Sequence, residues 1–86
     1  MTQKTKIRLA VLRDLSHVPE GYDQLHSVLI ANVQLSVRPR PSLTEVEEVL
    51  EELENKRQVR YLNNNTLEEQ KWVITDAGRF ALANAQ

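Results

Sequence analysis

Apolar residues recur at intervals of three and four near the start of the chain. Ile7, Val11, Leu12, Leu15 and Val18 predict one buried face of a first helix over Thr5 to His17. Pro19 and Gly21 end it and turn the chain, and Asp23 stands where an N-cap for the next helix belongs. Leu25, Val28, Leu29 and Val33 keep helical register from Leu25 to Leu35. Ser27 to Val37 is also rich in β-branched residues, yet a second helix is the better fit. Arg38-Pro39-Arg40-Pro41 is not helical, because each proline biases the arginine before it toward an extended backbone. Residues 36–41 therefore read as a rigid connector. The third helix has the sharpest start: Ser42 followed by Glu45 forms an S-x-x-E capping box ahead of an apolar run. Its expected core face is Leu43, Val46, Val49, Leu50 and Leu53, and it is expected to reach about as far as Gln58.

Beyond it the period changes. Val59-Arg60-Tyr61-Leu62 and Lys71-Trp72-Val73-Ile74 have strand-like composition, and the polar segment from Asn63 to Gln70, with Asn63, Asn64 and Asn65 in a row, suits a turn. These strands predict a β-hairpin. Thr75 or Asp76 caps a short final helix carrying Phe80, Ala81 and Leu82, with Trp72 and Phe80 expected as core anchors. Residues 1–4 and 83–86 are expected to fray. No repeat or low-complexity linker interrupts the pattern, so the expectation is one domain over 1–86, α+β and mainly α.

Composition narrows the class. A chain of 86 residues has room for one core. With 41% hydrophobic and 27% charged residues it is an ordinary globular sequence. Cysteine is absent, which excludes a disulfide frame and a thiolate zinc site. The opening MTQKTKIRLAVLRDL mixes charges into its apolar run, unlike a signal peptide, and no stretch is apolar enough to span a bilayer. A cytoplasmic location is expected.

The order helix, helix, helix, hairpin, short helix resembles the winged-helix (winged helix-turn-helix) superfamily over nearly the whole chain. Leu50-Glu51-Glu52-Leu53-Glu54-Asn55-Lys56-Arg57-Gln58-Val59 looks like the end of a third helix entering the wing. Trp72-Val73-Ile74-Thr75-Asp76-Ala77-Gly78-Arg79 is similar to the closing motif of many bacterial and phage members, which makes a phage or prophage origin an expectation. Two features depart from the pattern: no short strand is predicted between the first two helices, and the 36–41 connector exceeds a compact helix-turn-helix turn. The resemblance implies a three-helix domain with a hairpin wing, whose third helix enters the DNA major groove in DNA-binding relatives.

That helix's outer face opposes such a role. Advancing by about 100° per residue, its outward side holds Thr44, Glu47, Glu48, Glu51, Glu52 and Asn55. Six glutamates and no lysine or arginine lie between Leu43 and Glu54. Pushed against a phosphate array, this face adds repulsion where relatives supply cations. It reads either as a solvated face, with Glu52 and Lys56 as an i,i+4 pair, or as a docking surface for a basic protein partner.

Positive charge gathers elsewhere: Lys4, Lys6 and Arg8 near the start, Arg38 and Arg40 in the connector, and Lys56, Arg57, Arg60 and Lys71 at the hairpin base. Lys4, Lys6, Arg8, Arg38, Arg40, Arg60 and Lys71 are the candidates for DNA phosphate contacts, which position a protein without reading sequence. The formal net charge of −1 lacks the basic excess usual in nucleic-acid domains. The hairpin tip, with Glu68 and Glu69, offers no arginine to a minor groove. Tyr61 beside Trp72 is a further candidate patch, for a dimer.

Catalysis is not expected. His17 and His26, with Asp14 and Asp23 as the nearest carboxylates in sequence, have the spacing of a structural pair more often than of a catalytic dyad or a metal half-site. No nucleotide-binding, nucleophile-elbow or zincin motif is present, so no cofactor, metal or small-molecule substrate is implied. The expected function is a non-catalytic binding module, slightly favoured as a protein-interaction adaptor. A DNA-binding regulator or accessory factor is the alternative.

Overall fold

A computed structural model of the chain describes residues 3–19, 22–62 and 70–85. Four helices and three short strands follow in the order α1 (Gln3–Ser16), β1 (Gln24–Leu25), α2 (His26–Ser36), α3 (Leu43–Asn55), β2 (Val59–Leu62), β3 (Lys71–Ile74) and α4 (Asp76–Ala85). The fold is α+β and mainly α. The strands form one antiparallel sheet in the order β1-β3-β2, with Tyr61 opposite Trp72 and Gln24 opposite Trp72 on its other side.

The core lies where α1, α2 and α3 meet one face of this sheet. Ile7, Val11, Leu12 and Leu15 of α1 pack with Leu29, Ile30 and Val33 of α2 and with Val46, Val49, Leu50 and Leu53 of α3. Each such side chain contributes roughly 1.5–3 kcal/mol when fully buried. Val59 and Trp72 close the core from the sheet.

β1 departs from the sequence reading. Asp23 does not cap α2; the chain stays extended through Gln24 and Leu25, pairs with Trp72 and Lys71, and turns into helix at His26. The His26 amide donates to the Gln70 carbonyl (2.8 Å), which satisfies one of the free amides at this uncapped end. The Asp14 carboxylate accepts from Gln24 (3.3 Å) and Asn32 (3.1 Å), so α1 holds both β1 and α2.

The termini are helical farther out than expected. Gln3 begins α1 and donates its side-chain amide to the Pro39 carbonyl (2.7 Å), while α4 continues to Ala85.

The expected capping box is present, with the Glu45 amide donating to Ser42 Oγ and the Ser42 amide to Glu45 Oε1. Leu43 is nonetheless 51% exposed. Pro41 is fully buried and closes that end of the core, leaving the first helical residue beyond it. At the other end α3 stops at Asn55, short of Gln58. Arg57 adopts a left-handed backbone (φ 61°), its amide donates to the Glu54 carbonyl and the Gln58 amide to the Leu53 carbonyl. This pair of bonds is a Schellman termination, which satisfies the last carbonyls and releases the chain into β2.

Thr75 caps α4: its Oγ1 accepts from the Gly78 amide (3.1 Å) and donates to the Arg57 carbonyl (2.6 Å). Gly78 is buried because the start of α4 presses on the turn after α3, and a Cβ there would lie 2.1 Å from the Gln58 carbonyl oxygen. That contact sets the inner face of α4 at Gly78, Ala81 and Leu82. Phe80, about 200° around the helix from Gly78, therefore points outward and is 72% exposed rather than a core anchor. Val28 on α2 is likewise outside the core, at 40% exposed.

Candidate functional site

The six outward residues of α3 divide into three groups. Glu47 and Glu51 are joined by Glu54 and Leu50, which are not among the six, at positions i, i+4, i+7 and i+3, a single stripe along the helix. This stripe faces the hairpin. Glu52 lies on the opposite flank, against α1, where Lys4 pairs with it and Arg8 Nη2 stands 3.7 Å away. Thr44, Glu48 and Asn55 lie between these flanks and are exposed.

The Glu52 pairing corrects the sequence reading twice. Glu52 is half-buried rather than outward, and its partners are Lys4 and Arg8 rather than Lys56. The Lys4 hydrogen bond, with further attraction from Lys4, Arg8 and, less, Lys56, holds its carboxyl below the usual glutamate value against a smaller opposing effect of burial. Lys4 and Arg8 are thereby tied to this carboxylate.

Across from the stripe, the sheet contributes Tyr61 and Trp72. They are cross-strand partners with ring centroids 5.2 Å apart in an edge-to-face arrangement, worth about 0.5–1.5 kcal/mol beyond burial. Trp72 Nε1 donates to His26 Nδ1 (2.9 Å), and His26 Nε2 lies 3.4 Å from Glu47 Oε2. Because Nδ1 accepts from the indole, the imidazole carries its proton on Nε2, toward Glu47. His26 thus links β3 to α3 and is partnered by Trp72 and Glu47, not by Asp23.

Together these residues line a groove of about 250 Å³ bounded by His26, Glu47, Leu50, Glu51, Glu54, Tyr61, Gln70 and Trp72. Tyr61 is half-buried with Leu50 and Trp72 buried behind it, and α3 contributes the carboxylates of Glu47, Glu51 and Glu54. Alternation along the strands turns Arg60 and Lys71 to the opposite face of the sheet from Tyr61 and Trp72. No lysine or arginine lines the groove, and no described cation pairs with Glu48, Glu51 or Glu54.

The other phosphate candidates fall on the far edge. Lys6 Nζ donates to the Arg38 carbonyl (3.4 Å), and Lys6, Arg13 and Arg38 border a depression of about 410 Å³ between α1 and the connector. Arg40 donates to Gln34 Oε1 (3.4 Å). Asn63, Asn64, Asn65, Glu68 and Glu69 of the hairpin tip lie outside the described residues.

Sequence reasoning found Glu47 and Glu51 but missed Glu54, His26 and the aromatic pair as parts of one site. Glu54 sits at the flank of the outward arc, and only the hairpin's position makes that flank a wall. Nothing local to His26 points to Trp72, which lies 46 residues away.

Among the described residues no group of three or more His, Asp or Glu side chains is arranged to hold a metal ion, and no helix is long and apolar enough to cross a membrane. No family model, curated protein or solved structure matches the chain.

Proposed function

We propose that this protein is a non-catalytic winged-helix module that docks a protein partner through the acidic face of α3 and the adjoining hairpin. Two features support the winged-helix reading: the element order, with β1 inserted between α1 and α2, and the β1-β3-β2 sheet, which together supply the short strand the sequence left out. The observation that carries the docking reading is the charge of the helix at the recognition position. Glu47, Glu48, Glu51 and Glu54 are exposed there and no described lysine or arginine pairs with them, Arg57 and Arg60 bordering a depression at the Glu54 end, so along most of this face a phosphate backbone is repelled and a basic protein surface attracted. The cytoplasmic location expected from the sequence belongs to the same reading.

Cross-linked capture from cell extract tests it. The wild-type chain retains a partner, and the variant with Glu47→Lys, Glu48→Lys and Glu51→Lys loses it while staying folded, since Glu48 and Glu51 enter no described ion pair and the half-exposed Glu47–His26 contact is worth no more than about 1 kcal/mol. Undiminished capture by that variant would overturn the reading.

A DNA-binding regulator or accessory factor is the second reading. It is favoured by the grouping of Lys6, Arg13 and Arg38 around one depression, with Arg40 nearby. Its mark is anisotropy of labelled random duplex DNA that rises at low salt, falls steeply as salt increases, and loses part of that slope in the Arg38→Ala, Arg40→Ala variant. No binding at low salt removes this second reading.

A further inference from the structure

The groove beside α3 has features that a flat acidic helix face lacks. Its three carboxylates stand beside apolar and aromatic side chains, and no described lysine or arginine lines it or pairs with Glu51 or Glu54, Arg57 and Arg60 bordering the adjoining depression beyond Glu54 and Tyr61. Lys4 and Arg8 pair with Glu52 on the other flank of α3, Lys6 donates to the connector, and Arg60 and Lys71 leave their strands on the face opposite Tyr61 and Trp72. We propose that this groove seats an arginine or lysine side chain from a basic segment of a partner protein. The proposal rests on the docking reading above and names the chemistry that the docking surface recognises.

The size, the lining and the charge of the groove select this occupant. The groove volume of about 250 Å³ falls below the ~300 Å³ at which pockets for whole small molecules begin, and suits one long side chain. The half-buried Tyr61, backed by the buried Leu50 and Trp72, offers apolar ring surface to an alkyl stem. The carboxylates then receive the cationic head: Glu51 and Glu54 have no described ion-pair partner, while Glu47 stands 3.4 Å from His26 Nε2, so charge-assisted hydrogen bonds at Glu51 and Glu54 form without displacing a described ion pair. An apolar occupant would desolvate these carboxylates with nothing in return. A phosphate would be repelled by them.

Trp72 is the chain's single tryptophan, so its emission reports on the groove. The full chain is titrated at low salt with an end-blocked hexapeptide of alternating glycine and arginine, and with the same peptide carrying neutral citrulline in place of arginine. The expected result is a saturable change in Trp72 emission with the arginine peptide. Binding should weaken about tenfold or more with the citrulline peptide, and by a similar factor in the Glu51→Gln, Glu54→Gln variant, as loss of charge-assisted bonds dictates. Both replaced side chains are exposed, so the variant keeps its denaturation midpoint.

Equal response to the two peptides, undiminished binding by the double variant, or no saturable response would each overturn the proposal. So would an emission change in the protein alone that grows with its concentration alongside a dimer in sedimentation, because a second copy would then fill the groove. Failure here is separable from failure of the docking reading. If the charge-reversed triple variant loses its partner while wild-type Trp72 ignores the arginine peptide, the acidic face docks a protein but the groove does not seat a cation. If capture survives charge reversal, the docking reading itself falls.

Discussion

The Trp72 indole N–H points at His26 Nδ1, 2.9 Å away, joining the central strand of the sheet to the first residue of α2 across 46 positions of sequence. Both rings are mostly removed from solvent, so the bond has little competition from water. His26→Ala leaves the indole donor without its partner in a partly buried site. The expected loss is about 1–3 kcal/mol, read from urea denaturation followed by Trp72 fluorescence. A midpoint equal to that of the wild type would mean that water replaces the imidazole at no cost.

Glu52 gives the molecule an acid-sensitive contact. Its carboxyl is held below the ordinary glutamate value in the folded state, chiefly by Lys4, so it remains ionised where the unfolded chain is already protonated. Its contribution is complete above the unfolded value and is lost as pH falls through the lowered folded value. Glu52→Gln should therefore lower the melting temperature near neutral pH and reduce its fall as pH drops through and below the ordinary glutamate value. A fall parallel to that of the wild type would rule out this pairing as a source of acid sensitivity.

Arg57 occupies a left-handed conformation that costs an L residue about 1–2 kcal/mol and that glycine adopts freely. Its side chain is exposed and enters no described ion pair. Arg57→Gly is expected to raise stability by about 0.5–1 kcal/mol, the relief being partly offset by the greater freedom of glycine in the unfolded chain. Chemical denaturation of the two proteins side by side checks the sign.

Gly78 presents the opposite case. Alanine is the better helix former by about 1 kcal/mol, yet a Cβ at this position meets the Gln58 carbonyl oxygen at 2.1 Å and Ile74 Cγ1 at 2.8 Å. Backbone must move, so Gly78→Ala is expected to destabilise by about 1–3 kcal/mol. Ala77→Gly, one residue earlier on an exposed position, should cost no more than the intrinsic preference. A Gly78→Ala protein as stable as the wild type would show that α4 shifts freely against the turn.

Legibility in the sequence followed the range of the interactions. The start of α3 could be read because Ser42 and Glu45 make their bonds within one turn, and its core face because Val46, Val49, Leu50 and Leu53 repeat at short spacing. The strands of the hairpin were legible from composition. β1 was not, since Gln24 and Leu25 become a strand only through pairing with Trp72 and Lys71. Phe80 was misread because the inner face of α4 is set by the contact of Gly78 with Gln58, not by the most apolar residue. In the site, helical spacing gave the outward direction of Glu47 and Glu51. The diversion of Glu52 to Lys4 and the joining of His26 to Trp72 required knowing which elements pack together.

The separation of charge around α3 also sets how the molecule behaves as a whole. Glu47, Glu51 and Glu54 line one flank, while Lys4, Lys6, Arg8, Arg13 and Arg38 lie along α1 and the connector, so a formal charge of −1 conceals local patches of opposite sign. A particle of this kind turns before it touches: near a charged surface its orientation is selected at a distance comparable to the screening length, about 8 Å in physiological salt. Anion- and cation-exchange resins would meet different sides of the same protein, and its encounters in solution begin already aligned.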